Sequence, residues 1–333
     1  MSFFAILCAL LIEQVRPLAP HNPVYGGVLA WTRWTSRNFD AGKPHHGWIA
    51  WGLAVFVPTL LALGIHWLLV LTLGLPFAVL WSIAVLYVTL GFRQFSHHFT
   101  DIRDALDEGD EPLARSLLAH WQGVDAAELP RSEIVRHVIE HSVIAAHRHV
   151  FGVLAWFSVL AAVGLGPAGA VFYRMSEFVA RYWLHKNGAA VQPSSESVQQ
   201  AAEGAWHAID WLPARITALG FAVVGSFEEA IDCWRNDARR FPSENDGVIL
   251  AATSGAVNVR LGGGRLRPIP SVDPLPRAQA GESFADTRRT DSGSTPGREP
   301  EPGHLRSVVG LVWRSVVMWM VLLALLTLAR LLG

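Results

Sequence analysis

The sequence predicts an all-α, polytopic integral membrane bundle with a helical extramembrane region, and three observations carry that expectation. Of 333 residues, 51% are hydrophobic and only 17% are charged, against roughly 25% charged in soluble domains. The apolar residues fall in long uncharged blocks rather than in the short alternations that mark strands. The 14 Trp suit the two faces of a bilayer, where indole rings sit at headgroup level. Lys and Arg number 27 against 28 Asp and Glu, a net charge of -1. With no bulk attraction for polyanions, nucleic acid is not an expected partner. Cys8 and Cys233 are too few for a disulfide scaffold or a Cys-rich zinc site.

Five segments follow along the chain. In 1–92, the apolar run Ser2–Ile12 is short and is followed by Glu13 and Arg16. It lacks a basic leader and a small-residue cleavage site, so it reads as a retained helix packed on the others. Trp48–Phe92 contains no Asp, Glu, Lys or Arg. At about 20 residues per crossing this is a two-span hairpin, turning at Gly74-Leu75-Pro76. Residues 93–149 form a polar helical region. Leu106, Leu113, Leu117 and Leu118 recur there at helical spacing, Gly109 separates two helices, and Ser132 reads as an N-cap. In 150–264, Val150–Tyr173 is uncharged and reads as the third span. An exit helix follows, then the apolar stretch Leu212–Phe227, with Pro213 at a helix start, as a buried or re-entrant helix. Residues 265–307 are rich in Gly, Pro, Arg, Ser and Thr without apolar periodicity, the composition of a disordered linker. Residues 308–333 hold a fourth span, uncharged from Ser315 to Leu328 between Arg314 and Arg330. The loops are too long for basic-residue counting to orient the protein.

Several polar constellations bear on function. His137, Glu140 and His141 spell H-x-x-E-H, which on a helix puts both imidazoles one turn apart on one face, as in inverted zincins. Zinc would need a third ligand that the sequence does not mark, and a polar interfacial face explains the same residues. His45-His46, His97-His98, Arg93 and the run His147-Arg148-His149 flank the spans. They fit either interfacial anchoring beside Trp34, Trp48 and Trp51 or a site for a small-molecule or phosphate-bearing ligand. Arg174, Glu177 and Arg181 stand at helical spacing, able to line a polar cavity against Asp210 and Arg215 or to pair on a solvated surface. His66, alone in an apolar span, reads as a hydrogen-bonded interior residue.

Several stretches, in order, resemble the CobD/CbiB superfamily of membrane proteins: HNPV (His21–Val24), DALDEGDEPLARSLL (Asp104–Leu118), ELPRSEIVRHVIEHS (Glu128–Ser142), GPAGAVFYR (Gly166–Arg174), DWLPARITAL (Asp210–Leu219) and PSENDGVILAATSGAVNVRLGGG (Pro242–Gly264). The resemblance covers roughly residues 1–264. It implies a multi-pass protein of the bacterial inner membrane in the lipid bilayer, with a homo-oligomer left open. One branch of the superfamily is adenosylcobinamide-phosphate synthase, an amide-forming ligase of cobalamin assembly. Another is AmpE, associated with regulation of β-lactamase induction.

The polar positions depart from the synthase branch. Glu140 is kept, but the acidic positions after it read Ile144, Ala145 and Arg148. Tyr173 and Arg174 are kept, and Glu177 and Ala180 replace an Asn and an Asp. Trp206 and His207 stand where a pair of Asp precedes the DWLPAR motif. Magnesium is held by carboxylate and carbonyl oxygens, so these departures remove the groups best suited to metal-held phosphates. The resulting expectation is a non-synthase, AmpE-like regulatory or small-molecule-binding protein. The alternatives are a synthase, for which Mg and ATP would be the cofactors and Glu140, Arg174, Asp210 and Asn245 the contacts, and a zinc hydrolase using His137, Glu140 and His141. Arg148, Glu177 and Arg215 complete the set of candidate polar-cavity residues.

Overall fold

The computed structural model describes residues 2–16, 18, 22–189, 194–264, 266 and 292–332. Among these the secondary structure is helical, in the order α1 (Ser2–Val15), α2 (Pro23–Phe39), α3 (Pro44–Thr72), α4 (Leu75–Thr89), α5 (Phe92–Asp107), α6 (Glu111–Gln122), α7 (Arg131–Ala146), a π-turn (His147–Phe151), α8 (Gly152–Ala162), α9 (Ala168–Ala189), α10 (Glu196–Val224), α11 (Phe227–Asp237), α12 (Glu244–Val257) and α13 (Pro302–Leu332). Asn22, Asp110, Ser195 and Ser243 cap their helices by accepting a backbone N–H through the side chain. Gly109 separates α5 from α6 at φ +82. α7 starts after Pro130 without a side-chain cap, so Ser132 lies inside the first turn instead of capping it. His21, in the HNPV match, lies outside the described residues.

Three helical stretches are long and apolar enough to cross a membrane: Pro44–Thr72, Arg131–Ala162 and Pro302–Ala329. This corrects the expected four spans in two places. α4 has 15 residues, which at about 1.5 Å each reach about 22 Å, short of a hydrocarbon core about 30 Å thick. The uncharged block Val150–Tyr173 is not one helix. The chain turns at Gly164 and Gly166, both at positive φ, and the long helix instead begins at Arg131, within the segment expected to be polar and extramembrane. Its most apolar window is 78% buried inside the protein, against 22% for α3. This helix is the central post, packed by α5, α6, α9, α10, α12 and α13.

Two prolines sit inside long helices, Pro58 in α3 and Pro213 in α10. Each removes an N–H and so frees the carbonyl four residues back. In both places a tryptophan supplies the missing donor. Trp31 Nε1 donates to Ala54 O at 3.2 Å, and Trp156 Nε1 donates to Ile209 O at 3.1 Å. Hence DWLPAR is neither a helix start nor a re-entrant break but the middle of a continuous 29-residue helix.

The expected linker is corrected in its last part. Residues 265 and 267–291 lie outside the described residues, whereas 292–298 lie against 258–263. Thr295, 2% exposed, donates its N–H to Leu261 O at 2.7 Å and accepts the N–H of Leu261 through Oγ1 at 2.8 Å. Arg260 N donates to Arg298 O at 2.8 Å. α13 then starts at Pro302.

Candidate functional site

The central post is regular until His147, where a π-turn inserts an extra residue; such bulges recur at functional sites because they redirect side chains. Here three consecutive residues reach three different helices. All are buried: His147 at 0%, Arg148 at 9% and His149 at 4% exposure.

His147 meets α10. Its Nδ1 lies 2.9 Å from Thr217 Oγ1 and its Nε2 lies 2.8 Å from Asp210 Oδ1. From α9, the Tyr173 hydroxyl donates to the same Oδ1 at 2.8 Å. The tyrosine ring reaches this position because residue 152 is Gly; a Cβ there would stand 2.1 Å from the ring. Burial raises the pKa of Asp210, but His147, by charge and hydrogen bond, and Arg148 and Tyr173 outweigh it. The carboxyl is held below the usual range. Its Oδ2 has no hydrogen-bond partner among the described residues.

Arg148 meets α12, where Nη2 donates to both oxygens of Asp246 at 3.0 and 2.9 Å. His149 lies in the electrostatic field of Arg174 and Arg181 on α9, which share Glu177 between them at 2.6 and 2.9 Å. Arg148 Nε and His149 Nδ1 make no hydrogen bond among the described residues. Arg148, Arg174, Glu177 and Asp210 therefore form one buried centre.

The other candidates fall elsewhere. Glu140 belongs to a second cluster at the start of the post. It accepts from Arg136 Nη1 at 3.0 Å and from Gly262 N at 2.7 Å, while Arg136 Nη2 donates to Gly264 O at 2.7 Å. The LGGG end of the closing motif is thereby clamped to α7. Arg215 and Asn245 form a third group nearer the surface. Arg215 donates to Asn245 Oδ1 at 2.9 Å, pairs with Glu244 and lies over Trp211. Of the two α10 residues expected to face Arg174, Glu177 and Arg181, Asp210 meets Tyr173 of α9 while Arg215 turns to Asn245 and Glu244. Five residues on one helix rotate about 140°, which puts the two side chains on different faces.

Among the described residues, no three of His, Cys, Asp and Glu are grouped to hold a metal. His137 Nε2 faces the Arg136 guanidinium at 2.9 Å, and the His141 ring packs edge-on against Trp121 at 4.5 Å. H-x-x-E-H does not assemble a zinc set. Magnesium does not fit these donors either, because the carboxylates of Glu140, Glu177 and Asp246 are each answered by arginine. The His45 and His46 rings lie tilted against one another at 4.1 Å, and His98 stacks on Trp121; the side chain of Arg93 lies outside the described residues. The sequence missed Asp246 and the pairing of His147 with Asp210. The partners are 98 and 63 residues apart, and no local spacing joins them.

Comparison with known proteins complements this geometry. The model of the family described as CobD/Cbib protein matches residues 3–290. A cobalamin biosynthesis protein CobD from Stutzerimonas stutzeri is 31% identical over 96% of both chains. Another, from Chromobacterium violaceum, is 35% identical over 55% of both chains. A third, from Leptospira interrogans, is 29% identical over 60% of this chain and 59% of its own. No solved structure matches. These relatives overturn the expectation of a non-synthase, AmpE-like regulator: all three are named for cobalamin biosynthesis, and the likeness to one of them runs along nearly the whole chain.

Proposed function

The chain belongs to the CobD/Cbib family, and from that premise we propose that it acts in cobalamin biosynthesis as an adenosylcobinamide-phosphate synthase. In this reading it is a ligase of the bacterial inner membrane that joins the amine of an amino-alcohol phosphate to a corrinoid carboxylate first activated by a nucleoside triphosphate, so that the C–N bond forms as the C–O bond breaks and the departing oxygen leaves on phosphate. The observation that carries the reading is the 31% identity sustained over 96% of both chains. The buried centre at the π-turn supports it chemically. The carboxyl of Asp210 is held below the usual range by His147, Arg148 and Tyr173 and has one oxygen unengaged among the described residues, which suits it to orient an ammonium or amine. His147, with one ring nitrogen on Asp210 and the other on Thr217, fixes the carboxylate in place. Tyr173 holds the carboxylate in that orientation.

The test is growth of a strain that lacks this synthase on medium where cobalamin must be made. The chain should restore growth. Asp210→Asn should not, with amide formation in membranes reduced at least about 10²-fold at equal expression. Failure of the unaltered chain, with its presence in the membrane confirmed, overturns the reading.

A further inference from the structure

Long polar loops defeat basic-residue counting along the sequence, but the fold shows which span ends share a side and which turns are short. The first turns of the central post and of α13 both hold the end of α5. Arg131 Nη2 donates to Leu106 O at 2.7 Å, and Arg306 pairs with Asp107 at 2.8 Å. Further along, Ser315 of α13 and Phe151 of the post line one small cavity, so the two run in the same direction. α3 shares that direction. A Cβ at Gly166, just past α8, would stand 2.6 Å from the His66 ring. Phe56, earlier in α3, stacks on Phe172, whose neighbour Tyr173 lies against Gly152 of the post. Moving toward the start of α3 thus moves toward the start of the post. All three membrane-length stretches enter from one side. The turns at the far ends are short, 73–74 between α3 and α4 and 163–167 between α8 and α9, and short turns are where the count applies.

Charge is unequal on the two sides. Neither Lys nor Arg occurs between Lys43 and Arg93, or between Arg148 and Arg174, so both far turns lack positive charge. Arg306 and Arg314 precede the uncharged run of α13, and Arg330 alone follows it. Arg33, Arg37 and Lys43 stand just before α3 enters. Arg33 is committed inward, its Nε donating to the Tyr182 hydroxyl at 2.8 Å, whereas Arg37 and Lys43 are exposed. Asp40, the acid of that turn, is taken up by the N–H groups of Gly42 and Ser195. Trp34 and Trp48, 48% and 52% exposed, stand on either side of the two cations in the chain. Exposed indoles beside basic residues anchor a span end among headgroups, and the end richer in Lys and Arg stays in the cytoplasm. The leaflet there carries anionic lipid that attracts such residues. We propose that Arg37 and Lys43 dock the α2–α3 turn on anionic headgroups of the cytoplasmic leaflet, and that this docking holds the entry side of all three stretches cytoplasmic. The polar half of the post, with 262–264 bonded to it, then lies in the compartment that holds nucleoside triphosphates. The orientation rests on the inner-membrane setting of the ligase reading but not on its chemistry. Growth restored by a chain oriented the other way loses only this proposal. The expected orientation in a chain that fails to restore growth loses only the ligase reading.

The experiment uses the full chain in bacterial membranes, in a Cys8→Ser, Cys233→Ala background whose fold is checked by circular dichroism. One cysteine is then added in each turn. Ala41→Cys lies at an exposed position on the entry side, and Leu73→Cys, at a 54% exposed position, lies in the far turn. A membrane-impermeant maleimide should label Leu73→Cys in spheroplasts and Ala41→Cys in inverted vesicles, each at least about fivefold above the other preparation. The reverse pattern, or equal labelling of both positions from both sides, overturns the orientation. Arg37→Glu with Lys43→Glu should cut the labelling of Leu73→Cys in spheroplasts at least about twofold. Arg235→Glu, at an exposed position on α11, should leave it unchanged. Labelling that is the same in both charge variants overturns the role of the two cations. Docking is read on the purified full chain with an environment-sensitive fluorophore on Ala41→Cys, in phosphatidylcholine vesicles with or without phosphatidylglycerol. Emission should shift to the blue with phosphatidylglycerol. The shift should disappear at high salt, which screens exposed charges, and in the protein carrying Arg37→Gln and Lys43→Gln. Emission indifferent to phosphatidylglycerol, or a shift that survives both treatments, shows that the turn meets no anionic headgroup and overturns the docking.

Discussion

Arg148 and Asp246 show what a buried ion pair demands of both partners. Arg148 reaches both carboxylate oxygens, and the side chains are only 11% and 4% exposed. Removing one partner of such a pair costs about 3–5 kcal/mol because the other charge is stranded, whereas removing both costs less. Arg148→Ala and Asp246→Ala should therefore each lower the detergent-solubilised midpoint strongly, and the double variant should be more stable than either single one. Additive losses in that cycle would show that the two residues act independently. Half of this pair was legible in the sequence. Arg148 stood out as a basic residue at a position where the synthase branch carries an acid. Asp246 did not, because a carboxylate in the first turn of a helix is already explained by the helix dipole.

The helices themselves were legible wherever pattern and capping agreed. α3 followed from an uncharged run, the α5–α6 break from Gly109, and α13 from its terminal arginines. The misreading at Pro213 has a physical cause: sequence rules weigh a residue by its own backbone, while a distant side chain can change the balance. Pro213 reads as a helix start because proline cannot donate inside a helix, yet α10 runs through it since Trp156 takes the freed carbonyl of Ile209. Trp31 does the same for Ala54 beneath Pro58. Replacing either tryptophan by phenylalanine keeps most of the apolar volume and removes the N–H. Trp156→Phe and Trp31→Phe should each cost about 1–3 kcal/mol, the penalty of an unmet carbonyl. Trp67→Phe, at a 46% exposed indole, should cost about 0.5 kcal/mol or less. Thermal unfolding in one detergent separates them, and equal losses at all three positions would assign the effect to ring size rather than to the hydrogen bond.

At the scale of the whole molecule, the polar chemistry is gathered on a central helix that the bundle hides from lipid, and the chain returns late to close over its first turns. The 258–263 segment and the strap at 292–298 meet there, with Gly262 bonded to Glu140 and Gly263 to Ser292. Composition reads 265–307 as a linker because Gly, Pro and Ser give no apolar period. A strap held by backbone and hydroxyl hydrogen bonds has no such period to show. Thr295 is its anchor: its hydroxyl lies 2.7 Å from Ser254 Oγ and accepts from Leu261 N. Thr295→Val preserves shape but leaves those groups unmet, at a cost of about 1–3 kcal/mol. The backbone bond from Thr295 N to Leu261 O remains, so the strap should loosen rather than unfold. Hydrogen exchange should accelerate at 258–263 and 292–298 and stay unchanged in α3 and in α13 beyond Trp313. Thr327→Val, where the hydroxyl only returns to Leu323 O within its own helix, should leave all of these rates as they are. Faster exchange throughout α13 in Thr295→Val would show that the strap sets the position of the last helix as well as the closure over α7.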